Sequence, residues 1–196
     1  MPRRSRPESL KELLDELPED LRRQAFTHAS WVEHRAESYE RLAFLGDVVL
    51  SLAVSTHLFP RFERYGAGRL TKVRAQAVSG PSCARVARAL GVPDELRASA
   101  PAGTTGRSSE MLVESERVLA SVCEAIIGAV CLEFGFERTA PAVVESFSEE
   151  GPAHDRRFVA VAEVAGQELG RGEGKTKKSA EQEAALHALD ALEAAS

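Results

Sequence analysis

The stretch from Tyr39 to Leu52, YERLAFLGDVVLSL, constrains this chain more than any other, because it sets acidic residues at helical spacing inside an otherwise apolar segment. Glu40, Ala43 and Asp47 fall at i, i+3 and i+7 and project from one face, while Leu42, Leu45, Val49 and Leu52 are expected to serve a core. An unpaired carboxylate beside a core stripe is expensive to bury, so Asp47 requires an ion pair, a hydrogen-bonding helix end or a metal. A second helix-forming run, LASVCEAIIGAVCLEFGF at 119 to 136, sets Glu124 among small and apolar residues. Two carboxylates carried on apolar helices can converge on one divalent cation, an arrangement that helical-bundle cores use.

The chain's 196 residues suit one domain of ordinary size plus a small appendage. Its net charge of −5 argues against a uniformly basic coat for nucleic acid, yet one local patch stands out. Residues 171 to 178, RGEGKTKK, carry four basic groups against the single acid Glu173 and lead into an Ala-rich helical pattern. Cys83, Cys123 and Cys131 are odd in number and lack CxxC spacing, so they are expected to be buried free thiols rather than disulfide partners or zinc ligands. No apolar run approaches the ~20 residues that a membrane span requires, and the charged N-terminus lacks a following apolar region, so a cytoplasmic protein is expected.

Periodicity predicts helices over Ser9 to Leu17, Glu19 to Thr27, Tyr39 to about Phe59, Thr71 to Ala77, Ser82 to Leu90 and Glu110 to Phe134, with 100 to 109 as a loop. After Phe147 the pattern changes. FVAVAEV at 158 to 164 reads as a strand, Gly166 as a turn, Gln167 to Glu173 as a second strand, and Lys175 to Ala194 as a final helix. The fold class expected is therefore mainly α: an all-helical domain over 8–147, followed by a small α+β module, ββα, over 148–196.

ERLAFLGDVVL, from Glu40, resembles the ribonuclease III signature ERLEFLGDSVL, and LASVCEAIIGAVCLE resembles that family's second acidic helix, LADxxEAIIGAIYLD. THAS at 27 to 30 and GRLTKVRAQAVS at 68 to 79 fit the same family in order and spacing. The resemblance implies a homodimeric endoribonuclease that cuts double-stranded RNA, for example precursor ribosomal RNA, to 5′-phosphate and 3′-hydroxyl ends. It implies Mg²⁺, with Mn²⁺ as a substitute, held by Asp47 and Glu124. Two ligand positions depart from the pattern: the fourth-position Glu is Ala43 and the Asp of LADxxE is Ser121. Glu40 is the candidate to compensate, with Glu114 and Glu116 behind it. The alternative is a catalytically impaired relative that only binds duplex RNA.

Residues 158 to 189 are similar to the C-terminal half of a double-stranded RNA-binding domain, which implies that Lys175, Lys177 and Lys178 meet backbone phosphates. EEGPAHDRRF at 149 to 158 looks like that domain's first hairpin loop, with Gly151, Pro152 and His154 approaching the minor groove. A complete module opens with a helix and a strand, and the ten residues after Phe147 are too few for both. Either Val143 to Phe147 forms that strand or the module is incomplete.

Overall fold

A computed structural model of the chain describes residues 8–102, 104, 107–148, 158–164, 167–174 and 177–194. The chain packs as two compact units, Met1–Glu150 and Gly151–Ser196.

The first unit is helical throughout its described residues. Its helices are α1 (Leu10–Asp15), α2 (Glu19–Ala25), α3 (Glu40–Leu58), α4 (Ala67–Ala77), α5 (Gly80–Ala89), α6 (Val92–Ser99), α7 (Arg107–Glu114), α8 (Glu116–Phe134) and α9 (Phe136–Ser148). Short 3₁₀ turns at Ala29–Trp31 and Arg35–Glu37 carry the chain from α2 to α3. Helix α1 starts on a capping box: the Glu12 amide donates to the Ser9 hydroxyl, and the Glu12 carboxylate accepts from the Ser9 amide at 2.7 Å. Helix α2 carries Glu19 and Asp20 in its first turn and Arg22 and Arg23 in its last, the charge order that the helix dipole favours.

Helix α8 is the centre of the unit. Residues 119 to 130 are buried on nearly every side, as a helix that is apolar all round must be, and α8 packs against α2, α3, α5 and α9. Gly135, at φ +78°, ends α8 in the left-handed half of φ space, where a side chain would be strained, and α9 then folds back onto α3 and α8. Helix α3 has a mean hydropathy of 1.3, enough by length and composition alone for a membrane span. Leu42, Val49, Leu50, Ala53 and Val54 of this helix are buried in the core, whereas Phe44, Val48 and Leu52 are exposed.

The structure differs from the sequence expectations in five places. The run from Glu110 to Phe134 is two helices, because Ser115 is extended (φ −61°, ψ 120°) and its carbonyl opens α8 by accepting from Leu119. Helix α7 begins at Arg107, inside the expected loop, and α6 went unforeseen although Gly91, Pro93, Asp94 and Glu95 form an N-terminal helix signal. Leu52 is 48% exposed rather than in the core, whose α3 contribution is instead Leu42, Ala43, Gly46, Val49, Leu50, Ala53 and Val54. Cys83 and Cys123 are buried free thiols, with a hydrogen bond to Cys83 and then burial raising the Cys123 pKa, but Cys131 is only half-buried.

The second unit has two antiparallel strands, β1 (Phe158–Val164) and β2 (Gln167–Gly174), backed by α10 (Lys177–Ala194). Phe158 pairs with Gly174 and Val164 with Gln167, with an irregularity between Ala162 and Glu163. Ala180, Ala184 and Ala188 of α10 are buried at i, i+4 and i+8, and they sit on Gly170 and Gly172 of β2 so closely that a Cβ on either glycine would overlap the helix backbone. Residues 143 to 147 belong to α9 and not to a strand, so among the described residues the sheet has two strands.

Candidate active site and RNA-binding unit

Helices α3 and α8 cross backbone against backbone. A Cβ on Gly46 would fall on the Glu124 carbonyl, and one on Gly128 would fall on the Leu42 carbonyl, so only glycine allows this approach. The crossing brings the residue after Gly46 beside α8: Asp47 is exposed, Glu124 is half-buried, and the charge of Asp47 acts on Glu124. Burial, and then that charge, push the Glu124 pKa up to about 7. Near neutrality the Glu124 carboxyl is thus about half protonated, a proton that a bound cation would displace.

The other expected acids are engaged elsewhere. Both Glu40 oxygens accept from Arg35, with Nε to Oε2 at 2.9 Å, and that hydrogen-bonded ion pair holds the Glu40 carboxyl below its ordinary range. Glu114 pairs with Arg97 on α6, and Glu116 is exposed in the first turn of α8. Among the described residues no group of three or more His, Cys, Asp or Glu side chains is arranged to hold a metal. The donors that fit a hard divalent cation are therefore Asp47 and Glu124, whose mutual repulsion a cation would relieve, leaving its remaining positions to water and phosphate oxygens.

Ala43 and Ser121, the two substituted positions, line one pocket of about 440 Å³ together with His28, Arg35, Glu40 and Arg117. His28 belongs to the THAS connector and caps the first 3₁₀ turn, its Nδ1 accepting from the Ser30 amide at 3.1 Å. Its ring lies 5.7 Å from Trp31 and 5.6 Å from Tyr39, centroid to centroid, and burial lowers its pKa. Arg117 was missed by sequence reasoning, because a single arginine beside Glu116 in a helix reads as a solvated face.

In the second unit, Lys177 and Lys178 occupy the first turn of α10, which contains no acid. Positive charge at a helix N-terminus is unfavourable to the helix itself and favourable to an anionic partner. Lys178 is exposed. Gly151, Pro152, His154 and Lys175 lie outside the described residues.

The fold and the crossing define a class: a helical domain with a carboxylate pair where two core helices meet, joined to a helix-backed hairpin with basic residues at its helix start. The family model described as Ribonuclease-III-like matches residues 18–150, and the one described as Double-stranded RNA binding motif matches 136–192. A curated relative, Ribonuclease 3 of Geobacillus kaustophilus, is 40% identical over 213 aligned residues, covering 88% of this chain and 84% of the relative. Ribonuclease 3 of Bacillus cereus is 38% identical over 211. The solved nuclease domain of ribonuclease III from Campylobacter jejuni matches with a TM-score of 0.61 at 32% identity, covering 74% of this chain and 97% of that one. The chain belongs to the ribonuclease III family.

Since 88% of 196 residues is about 172, some 40 of the 213 aligned positions in the Geobacillus relative face gaps in this chain. The RNA-binding motif match begins at the first residue of α9, a helix that packs here on α3 and α8 of the nuclease unit. The two family matches thus overlap over 136–150, and α9 falls in the first unit.

Proposed function

We propose that this chain is an endoribonuclease that cuts double-stranded RNA as a homodimer, with cleavage assigned to residues 8–147 and duplex binding to 148–196. The observation that carries the reading is the Asp47–Glu124 pair at the glycine crossing of α3 and α8. Bound between those carboxylates, Mg²⁺, with Mn²⁺ as a substitute, would polarise the attacking water and offset charge developing on the phosphate. Asp47 and Glu124 contribute the anionic oxygens. Because burial and the charge of Asp47 leave Glu124 partly protonated near neutrality, loading of the site would release that proton. The expected products carry 5′-phosphate and 3′-hydroxyl ends, and cytoplasmic precursor ribosomal RNA is the first substrate to try.

The dimer is supported by an apolar stripe on the helix that bears Asp47: Phe44, Val48 and Leu52, at i, i+4 and i+8, are 80%, 55% and 48% exposed. Beside it lies a groove of about 740 Å³ lined by Leu21, Phe44, Leu45 and Leu132. A second copy docked there would place two carboxylate pairs on one duplex, one for each strand. Duplex binding is supported by Lys177 and Lys178 at the start of α10, where recognition would follow the shape of the RNA rather than its sequence.

The test is incubation of the purified chain with a long perfect RNA duplex in Mg²⁺, in Mn²⁺ and in chelator, with Glu124→Gln alongside. Metal-dependent short products that the variant fails to make are expected. A second reading is favoured by the Arg35–Glu40 pair and by Ala43 and Ser121, which together leave two carboxylates for the cation. In it the chain binds duplex RNA without cutting. Intact RNA with metal-independent binding would establish that reading, and Ala43→Glu with Ser121→Asp would then be expected to restore cleavage.

A further inference from the structure

The pocket that holds Ala43 and Ser121 has the wrong charge for a cation. Its one lining carboxylate, Glu40, is already satisfied by Arg35. Arg117 is exposed on α8 and close enough to act electrostatically on both Glu40 and Tyr39. With Ala43 and Ser121 neutral and burial disfavouring a charge on His28, two guanidiniums face one carboxylate, and the lining carries a net charge of +1.

The available hydrogen-bonding groups point the same way. The Ser30 amide donates to His28 Nδ1, which in the neutral ring leaves the proton on Nε2 as a donor. The Ser121 hydroxyl is a further donor, and the Arg117 guanidinium offers a planar fork suited to two oxygens of one phosphate. The cavity, at about 440 Å³, has room for a phosphate group with its attached sugar. Ala43 and Ser121 stand one helical turn from Asp47 and Glu124 respectively, so an anion here would sit next to the carboxylate pair without competing for it.

We propose that this pocket binds a phosphate group of RNA directly, through Arg117, Ser121 and His28, in place of the cation that acids at 43 and 121 would hold. The proposal goes beyond the nuclease reading and does not depend on cleavage. A chain that cuts RNA and one that only binds it would both carry the phosphate site.

Trp31 is the chain's one tryptophan, and its contact with His28 makes it a reporter on the pocket wall. The experiment titrates the full chain, in chelator, with inorganic phosphate, uridine 5′-monophosphate and the diester UpU, following Trp31 fluorescence and heat of binding. Saturable binding is expected, weakened about tenfold or more by Arg117→Ala and abolished by Ser121→Asp, with Arg88→Ala on α5 as an unaffected control for general charge. Binding of UpU would identify a backbone phosphate as the natural occupant. Binding of the monoester without UpU would identify a 5′-terminal phosphate, and either result supports the site. The proposal is overturned if none of the three probes binds saturably, or if Arg117→Ala and Ser121→Asp bind as tightly as the unsubstituted chain. Cleavage assays on the same proteins judge the nuclease reading separately.

Discussion

At the scale of single residues, the site turns on how each carboxylate is partnered. Glu124 titrates near 7 because it is half-buried and faces Asp47, and a protonated carboxyl is a poor ligand. Divalent-cation affinity should therefore rise about tenfold per pH unit up to about 7 and flatten above it, since each cation bound displaces one proton. Manganese binding measured across that range checks the slope; a flat profile would exclude Glu124 as a ligand. The same shift has a sign for stability. Because the folded-state value lies above the ordinary 4.5, the protonated carboxyl favours the fold below 4.5, and that contribution is lost as pH rises through 7. Asp47→Asn should lower the Glu124 pKa, seen by carboxyl NMR, without returning it to 4.5, since burial is the larger cause. Glu40 behaves differently. Held by Arg35, it should tolerate Glu40→Gln with cation affinity unchanged within about twofold, whereas Asp47→Asn and Glu124→Gln should each lower it more than about tenfold.

At the scale of elements, the α3–α8 crossing decides whether those residues meet. Gly46→Ala and Gly128→Ala put a methyl group into opposing backbone, which cannot swing aside as a flexible side chain would. Each should cost about 1–3 kcal/mol or more, read by thermal or denaturant unfolding, and should slow cleavage out of proportion by parting Asp47 from Glu124. Normal stability in both variants would mean that the helices do not touch at these glycines. Gly170→Ala should likewise loosen α10 from β2 and weaken duplex binding while leaving the first unit's unfolding unchanged. Most elements were legible in the sequence because they are amphipathic or carry clear caps. The joint at Ser115 was not, since the residues on both sides are helical and the break is a single extended residue between them.

On the scale of the whole molecule, charge and apolar surface are divided between functions. The overall charge is −5, yet the first turn of α10 is basic, so duplex affinity should fall steeply with salt. Lys177→Glu with Lys178→Glu should weaken duplex binding by about tenfold or more and flatten that salt dependence, measured by gel shift at several ionic strengths. An unchanged salt slope would move the RNA contact elsewhere. Phe44→Arg places a charge in the middle of the exposed α3 stripe and should convert a dimer to monomers in sedimentation, with loss of double-strand cleavage. A monomeric unsubstituted chain would leave the stripe without that role.

The sequence by itself determined the family, the mainly helical architecture, the position of the strands and the two carboxylates that survive at signature positions, because periodicity, caps and motif spacing are local properties of the chain. Tertiary structure alone decided which acids remain free. Glu40 shares a helix face with Asp47, but Arg35, five residues earlier, folds back to claim it, while Glu124 becomes half-buried because Gly46 and Gly128 let two helices touch. Burial and ion pairing depend on what the chain brings alongside a residue, and no spacing within one helix records that.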